Sequence, residues 1–196
     1  MAATLQAPVV FVCRNNGFAI STPVREQYRG DGIAARGVAY GMHTMRVDGN
    51  DVFAVQAAMR RARAIASGSD GSGSTKPVLI EAMTYREGHH STSDDSTRYR
   101  SAEEIKGWRE RSNPVRRLRR YLESRGWWDA EKEEALVAAE RKAVLLALTT
   151  AERKEKPDVV ELVRDVYDVV PPHLQEQFDA LQVHMTKYPE QYASHH

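Results

Sequence analysis

Apolar and polar positions follow two regimes along the chain. Up to about residue 83, short continuous apolar runs bracket one stretch of helical period; beyond residue 100 the period is helical almost throughout. Val9, Val10, Phe11 and Val12 form an unbroken run, the pattern of a strand covered on both faces in a parallel sheet. Asn15-Asn16-Gly17 then reads as a turn, because the amides tolerate left-handed conformations and glycine adopts them freely. Pro23 is expected to stop any helix before it forms, and 27–41, with four glycines, reads as a loop around a short helix at 33–36. A second short strand is predicted at 43–47. Asp51 is a good N-cap for a helix over 51–66, where Val52, Val55, Met59, Ala62 and Ile65 recur at helical spacing. The glycine, serine and aspartate tract at 67–75 reads as a flexible surface loop, and 77–83 as a third strand, apolar save for Glu81.

Strand, helix, loop and strand make a βαβ unit, which favours a parallel sheet with right-handed crossovers. The loops after the first and third strands then leave from the same carboxyl edge, where open α/β folds bind ligands. Beyond residue 100, Ser101 and Glu104 form a capping box for a helix to about 109. Asn113-Pro114 opens another that runs to 124 and ends at Gly126. Asp129 is placed to cap a long helix reaching about 154, with Leu136, Ala139, Ala143, Leu146 and Thr150 on its apolar stripe; a last helix is predicted at 172–186. The fold class expected is α/β, part of a parallel-sheet domain over 1–100, followed by an α-helical appendage over 101–196.

Charge changes this picture little. Lys plus Arg at 28 against Asp plus Glu at 27 leaves a net charge of +1, so no sequence-wide field draws the chain to nucleic acid or a membrane surface, although 109–125 is strongly basic. No apolar stretch approaches the ~20 residues needed to cross a bilayer. Residues 1–6 lack the features of a signal or transit peptide. The single cysteine excludes a disulfide framework and a cysteine zinc cluster and fits a reducing compartment; Cys13 reads as a small core residue.

Two stretches carry candidate chemistry. Arg14 and Asn16 beside Gly17 supply a guanidinium for bidentate phosphate contact and an amide oxygen able to ligate a hard cation, although Asn-Asn-Gly is also a common turn. The second stretch, 85–95, places Arg86, His89 and His90 next to Ser91, Thr92, Ser93, Asp94 and Asp95. A zinc site there lacks a known ligand spacing, and a Ser-His-Asp hydrolase lacks a nucleophile elbow. A mobile basic and hydroxyl-rich loop that meets a phosphate, with serines open to modification, is the better reading. Gly30-Asp31-Gly32 mimics the first half of a thiamin diphosphate motif but lies downstream of the Asn pair, so it reads as a structural turn. Arg29-Gly30-Asp31 has no secretory context to support an adhesion role.

The runs at 14–23, 26–37, 46–51 and 81–100, with Gly126-Trp127-Trp128 and Asp165-Val166-Tyr167, closely resemble the alpha subunits of branched-chain 2-oxo acid dehydrogenases. The resemblance covers essentially the whole chain. It implies thiamin-diphosphate-dependent oxidative decarboxylation of branched-chain 2-oxo acids, with the cofactor ring holding the electrons released as carbon dioxide leaves and the acyl group passing to a lipoyl arm. The partners it implies are a beta subunit in a two-alpha, two-beta assembly, a lipoyl-bearing transacylase core, and a regulatory kinase and phosphatase. Carried over by position, Arg14 contacts the diphosphate, while Asn16 ligates Mg2+ through its side chain and Phe18 through its backbone carbonyl. Ile20 packs on the cofactor. His90 reaches the diphosphate and assists acyl transfer, Arg86 and Asp94 order the loop, and Ser91 and Ser101 match phosphorylation sites. A eukaryotic member would work in the mitochondrial matrix, otherwise in the cytoplasm.

The family's acidic triplet, which gives the other side-chain Mg2+ ligand, lies further upstream of the Asn pair than the 15 residues before Asn16 allow. Its potassium site lies upstream too. The chain is therefore expected to be a C-terminal piece that binds thiamin diphosphate weakly or not at all alone. Two alternatives stay open: a non-catalytic interaction module that binds the beta subunit, and the alpha subunit of a related pyruvate dehydrogenase.

Overall fold

The structure, a computed structural model, describes residues 1–192. The described residues divide into two compact units, 1–129 and those from 130 onward. In the first, β1 (Val10–Asn15), β4 (His43–Asp48) and β5 (Val78–Met83) form a parallel sheet in the order β1-β5-β4, with β5 between the other two. Val10 and His43 both pair with Val78, and Asn15 and Asp48 both pair with Met83, so all three strands end at one carboxyl edge.

The central strand is the most buried because it alone has a neighbour on each side. On one face Val78 and Ile80 pack with Ala62, Ile65 and Ala66 of α3 (Val52–Ser67), and Val10, Met45, Val47 and Met59 complete the core. Asp51 caps α3 by accepting from the Phe53 and Ala54 N–H groups, and Gly68 closes it in a left-handed conformation, the sequence signals expected of a helix start and stop. On the other face α2 (Ala34–Ala39) approaches Leu79 and Thr44 through Gly37. The expectation that the first strand is covered on both faces is corrected: Phe11 is 44% and Val12 50% exposed, because β1 lies at the edge of the sheet. Pro23 does not prevent a helix either. It occupies the N-cap of the single turn α1 (Val24–Gln27), a position where its missing N–H costs nothing. The two-stranded hairpin of β2 (Phe18–Ala19) and β3 (Thr22–Pro23) was not visible in the sequence pattern.

Beyond the sheet, α4 (Ala102–Arg111) and α5 (Pro114–Ser124) belong to the first unit. Ser101 Oγ accepts from the Glu104 N–H at 3.0 Å, but the Glu104 carboxylate accepts instead from the Tyr85 hydroxyl, so only half of the capping box forms. Asn113 caps α5. Arg117 of α5 grips the sheet edge, with one nitrogen 2.7 Å from Asp48 and another 3.0 Å from Asp51, tying α5 to the end of β4 and the start of α3. The second unit holds α6 (Ala130–Glu152), α7 (Glu161–Arg164) and α8 (Pro172–Lys187), with Val163 and Phe178 as its buried apolar residues. No helix among the described residues is long and apolar enough to cross a membrane.

One charge sits inside this fold. Glu81 is fully buried, and its carboxylate accepts four hydrogen bonds: Asn15 Nδ2 at 2.7 Å and Ile33 N at 2.9 Å on Oε1, Ala34 N at 2.8 Å and Arg46 Nε at 3.0 Å on Oε2. Burial alone would push its pKa up. The donors from Ala34, Asn15, Ile33 and Arg46 outweigh burial and hold it at about 2, against an ordinary value of 4.5. A carboxyl depressed in the folded state stabilises fully above its unfolded pKa and loses that contribution as pH falls through the folded value. Stability is therefore expected to fall by at most about 3 kcal/mol between pH 4.5 and 2 through this group. Urea titrations across that range should show Glu81→Gln less stable at neutral pH and without this component of the acid dependence. Arg117→Ala, which removes two partly exposed ion pairs, is expected to cost about 1 kcal/mol in the same assay.

Candidate functional site

The candidate site grows from the way β1 ends. Asn15 Oδ1 accepts from the Gly17 N–H and Asn16 Oδ1 from the Phe18 N–H, each at 3.0 Å, so two consecutive side-chain turns bend the chain away from the sheet. Gly17 has φ +80, which explains its residue type. The chain then pairs with itself in the β2–β3 hairpin, whose two-residue connection puts Ile20 at φ +55. A β-branched residue in that region is strained, by roughly 1–3 kcal/mol, and persists only where its surroundings fix it. Here the Ile20 carbonyl accepts from the Arg86 guanidinium at 2.8 Å.

That contact joins the two candidate loops, which also meet where the Thr84 N–H donates to the Asn15 carbonyl at 2.9 Å. The segment after β5 is held by a small set of interlocking groups. Arg86 donates to the Tyr99 hydroxyl at 2.8 Å, and that hydroxyl donates to Asp94 Oδ2 at 2.6 Å. The same Asp94 oxygen accepts from the His90 backbone N–H at 2.8 Å. The His90 N–H and the Tyr99 hydroxyl together hold the Asp94 carboxyl below the usual range. Burial, and then the Asp94 bond, push the Tyr99 phenol up. Arg100 is 4% exposed; it donates to the carbonyls of Arg86 and Gly88, and its guanidinium lies 5.2–5.7 Å from the ring centres of Tyr85, Tyr99 and Phe18. Tyr85 stacks on Trp108 of α4 at 4.9 Å, and Glu87 accepts from Arg109 and Asn113, so the loop is fastened to the helices on its far side.

The expected site residues fall into two groups. Asn16, Phe18 and Ile20 lie on the turn and hairpin; Arg86, His90, Ser91 and Asp94 lie on the facing loop. Arg14 is exposed on β1 and forms no ion pair among the described residues. His90 and Ser91 are exposed, whereas His89 Nδ1 accepts from the buried Ser96 N–H and so has a structural partner. Ser101 caps α4. A cleft of about 610 Å³ opens beside the hairpin, lined among others by Gly17, Phe18, Arg25, Tyr99, Arg100 and Ser101.

Sequence reading missed Asn15, Glu81, Tyr99 and Arg100. Glu81 had a signal, as a lone charge in an apolar strand that must find partners if it is buried. Tyr99 and Arg100 had none, because what matters about them is contact with Asp94 and with loop carbonyls. Burial, and then the nearby Glu81 charge, push the Cys13 thiol up, which accords with an unreactive residue.

No group of three or more His, Cys, Asp or Glu side chains among the described residues could hold a metal. The donors that the turn does offer, the Asn16 amide oxygen and the Phe18 carbonyl, are neutral oxygens suited to a hard cation such as Mg2+, but two donors are short of its octahedral demand.

The dehydrogenase E1 component family matches this chain over residues 1–160. Similar proteins include the mitochondrial 2-oxoisovalerate dehydrogenase subunit alpha of Macaca fascicularis, 53% identical over 195 residues, covering 100% of this chain and 43% of that protein. The Caenorhabditis elegans subunit is 51% identical over 191 residues, covering 97% of this chain and 43% of its own length. In Arabidopsis thaliana the mitochondrial subunit alpha 1 is 52% identical over 191 residues, covering 97% and 39%. The chain thus spans about two fifths of the length of these relatives. With its parallel sheet, its paired turns at the sheet edge and this match over most of its residues, the chain belongs to the dehydrogenase E1 component family.

Proposed function

We propose that this chain is the C-terminal part of a thiamin-diphosphate-dependent 2-oxo acid dehydrogenase alpha subunit acting on branched-chain 2-oxo acids in the mitochondrial matrix. The identity of 51–53% to the 2-oxoisovalerate dehydrogenase alpha subunits named above carries this reading. Residues 1–100 are taken as the C-terminal part of the cofactor-binding α/β domain, and 101–196 as the helical appendage. Thiamin diphosphate, when bound, supplies the electron sink for decarboxylation. Arg14 would hold its diphosphate, Asn16 and Phe18 would give oxygen ligands to Mg2+, and Ile20 would pack on the cofactor. His90, whose backbone is fixed by Asp94 while its ring is exposed, would reach the diphosphate and assist acyl transfer to a lipoyl group. A beta subunit and a lipoyl-bearing transacylase core would be the partners, with a kinase and phosphatase acting on Ser91 and Ser101.

A second reading, a non-catalytic module that docks to the beta subunit, is favoured by the two neutral donors that fall short of a cation shell. Calorimetry with thiamin diphosphate and Mg2+, with and without beta subunit, separates the two. Binding that is lost in Asn16→Ala supports the catalytic reading, whereas docking to beta with no cofactor uptake supports the module.

The Ser91 carbonyl accepts from the Asp94 N–H at 3.3 Å, so a charge placed on Ser91 lies close to the carboxylate that orders the loop. Ser91→Glu is therefore expected to speed hydrogen exchange at the His90 amide and to lower lipoyl acylation in an assembled enzyme. Unchanged exchange and activity would contradict the regulatory role.

A further inference from the structure

The turn proposed to ligate a cation does not hold its own shape. Its first amide, Asn15, has its side chain oriented from outside: Nδ2 points to Glu81 Oε1 at 2.7 Å, which leaves Oδ1 to accept from Gly17 N at 3.0 Å. Glu81 cannot move to suit the turn, because it is fully buried and its remaining lone pairs are taken by Ile33, Ala34 and Arg46. Arg46 is fixed in turn by the Asp31 carboxylate at 2.9 Å and the Asp31 carbonyl at 2.7 Å. Gly32 leaves no room for slack, since a Cβ there would lie 2.8 Å from either Glu81 oxygen.

We propose that Glu81 is the positioning residue of the Asn15-Asn16-Gly17 turn, orienting the Asn15 amide so that the Asn16 side-chain oxygen and the Phe18 carbonyl are presented together at the sheet edge. This deepens, and rests on, the reading of Asn16 and Phe18 as cation ligands. Because Glu81 only accepts and the Asn15 amide has one donor end, the carboxylate selects one of the two amide orientations. The flipped orientation would set an oxygen against the carboxylate and an NH2 group against the Gly17 N–H, and both contacts are repulsive. Asn16 makes its own turn one residue later, so an error at Asn15 displaces the ligand oxygen directly.

The test exchanges the polarity of the bond. In the full chain, Glu81→Gln and Asn15→Ala are expected to speed amide exchange at Gly17 about tenfold, the effect of one hydrogen bond, and to leave Val78 and Ile80 protected. In the double variant Asn15→Asp/Glu81→Gln, the carboxylate at position 15 accepts both from the amide at position 81 and from the Gly17 N–H. Protection at Gly17 should return there, while Ile33, now facing a donor, stays fast; a general loss of structure would not separate the two sites. Should Glu81→Gln fail to fold, Asn15→Asp takes its place: it keeps an acceptor for the Gly17 N–H and the other three donors to Glu81 but removes the donor to Glu81, so Gly17 exchange is expected to speed up, and unchanged exchange overturns the proposal. Unchanged Gly17 exchange in Asn15→Ala, or no recovery in the double variant, overturns the proposal.

Mn2+ affinity, measured in the presence of thiamin diphosphate and beta subunit, is expected to be about tenfold weaker in Asn15→Ala than in the wild type. Equal affinities with a loosened turn would overturn the link to the cation. A wild-type chain that takes up no Mn2+ would defeat the reading of Asn16 and Phe18 as sufficient cation ligands in this chain, and the exchange comparison would still decide whether Glu81 sets the turn.

Discussion

A carboxylate with no access to water must be answered by donors, and Glu81 in the middle of the central strand imposes that requirement on three separate segments. The end of β1 contributes Asn15, the start of α2 contributes two backbone N–H groups, and β4 contributes Arg46. None of these reaches Glu81 unless the strands pair in their observed register, because the residue after Glu81 faces the opposite side of the sheet. The hydrophobic core on the α3 face, Val78 and Ile80 against Ala62 and Ile65, supplies the burial. The polar cluster on the α2 face converts it into a single arrangement of the carboxyl edge.

The loop after β5 is organised differently. It has no apolar core of its own and depends on charge-assisted and aromatic contacts, with Asp94 shared between the His90 backbone and the Tyr99 hydroxyl, and Arg100 buried among three rings. Such a network directs its polar ends inward and leaves the His90 ring and the Ser91 hydroxyl facing solvent. It also holds Ile20 in a backbone conformation that an isoleucine avoids, through Arg86. Strain in the hairpin and order in the loop are thus two ends of one contact, and loss of either should be felt by the other.

The sheet is three strands wide, and its first strand is at an edge with Phe11 and Val12 uncovered. Parallel sheets are ordinarily covered on both faces. The relatives that this chain matches are more than twice as long, and the proposed Mg2+ shell needs donors beyond Asn16 and Phe18. The uncovered apolar side chains lie along the lateral edge strand β1, and the proposed ligands Asn16 and Phe18 lie just past the end of that same strand.

The three strands of the parallel sheet, α3, α4 and α5 were legible in the sequence because each rests on local signals: apolar runs, a period of 3.6, and caps at Asp51, Ser101 and Asn113. The two chemistry-bearing stretches were legible too, through residue type and through the βαβ argument that brings their loops to one edge. Strand order was not, because the insertion of β5 between β1 and β4 depends on which faces are buried together, and that makes β1 an edge strand against the pattern of its residues. The partners of Glu81, Tyr99 and Arg100 were equally hidden. Hydrogen bonds between residues 66 or 35 positions apart leave no periodicity in a single chain. By itself the sequence determined the elements and the residues available for chemistry; tertiary structure alone decided their orientation, because a buried carboxylate selects its donors by proximity in space.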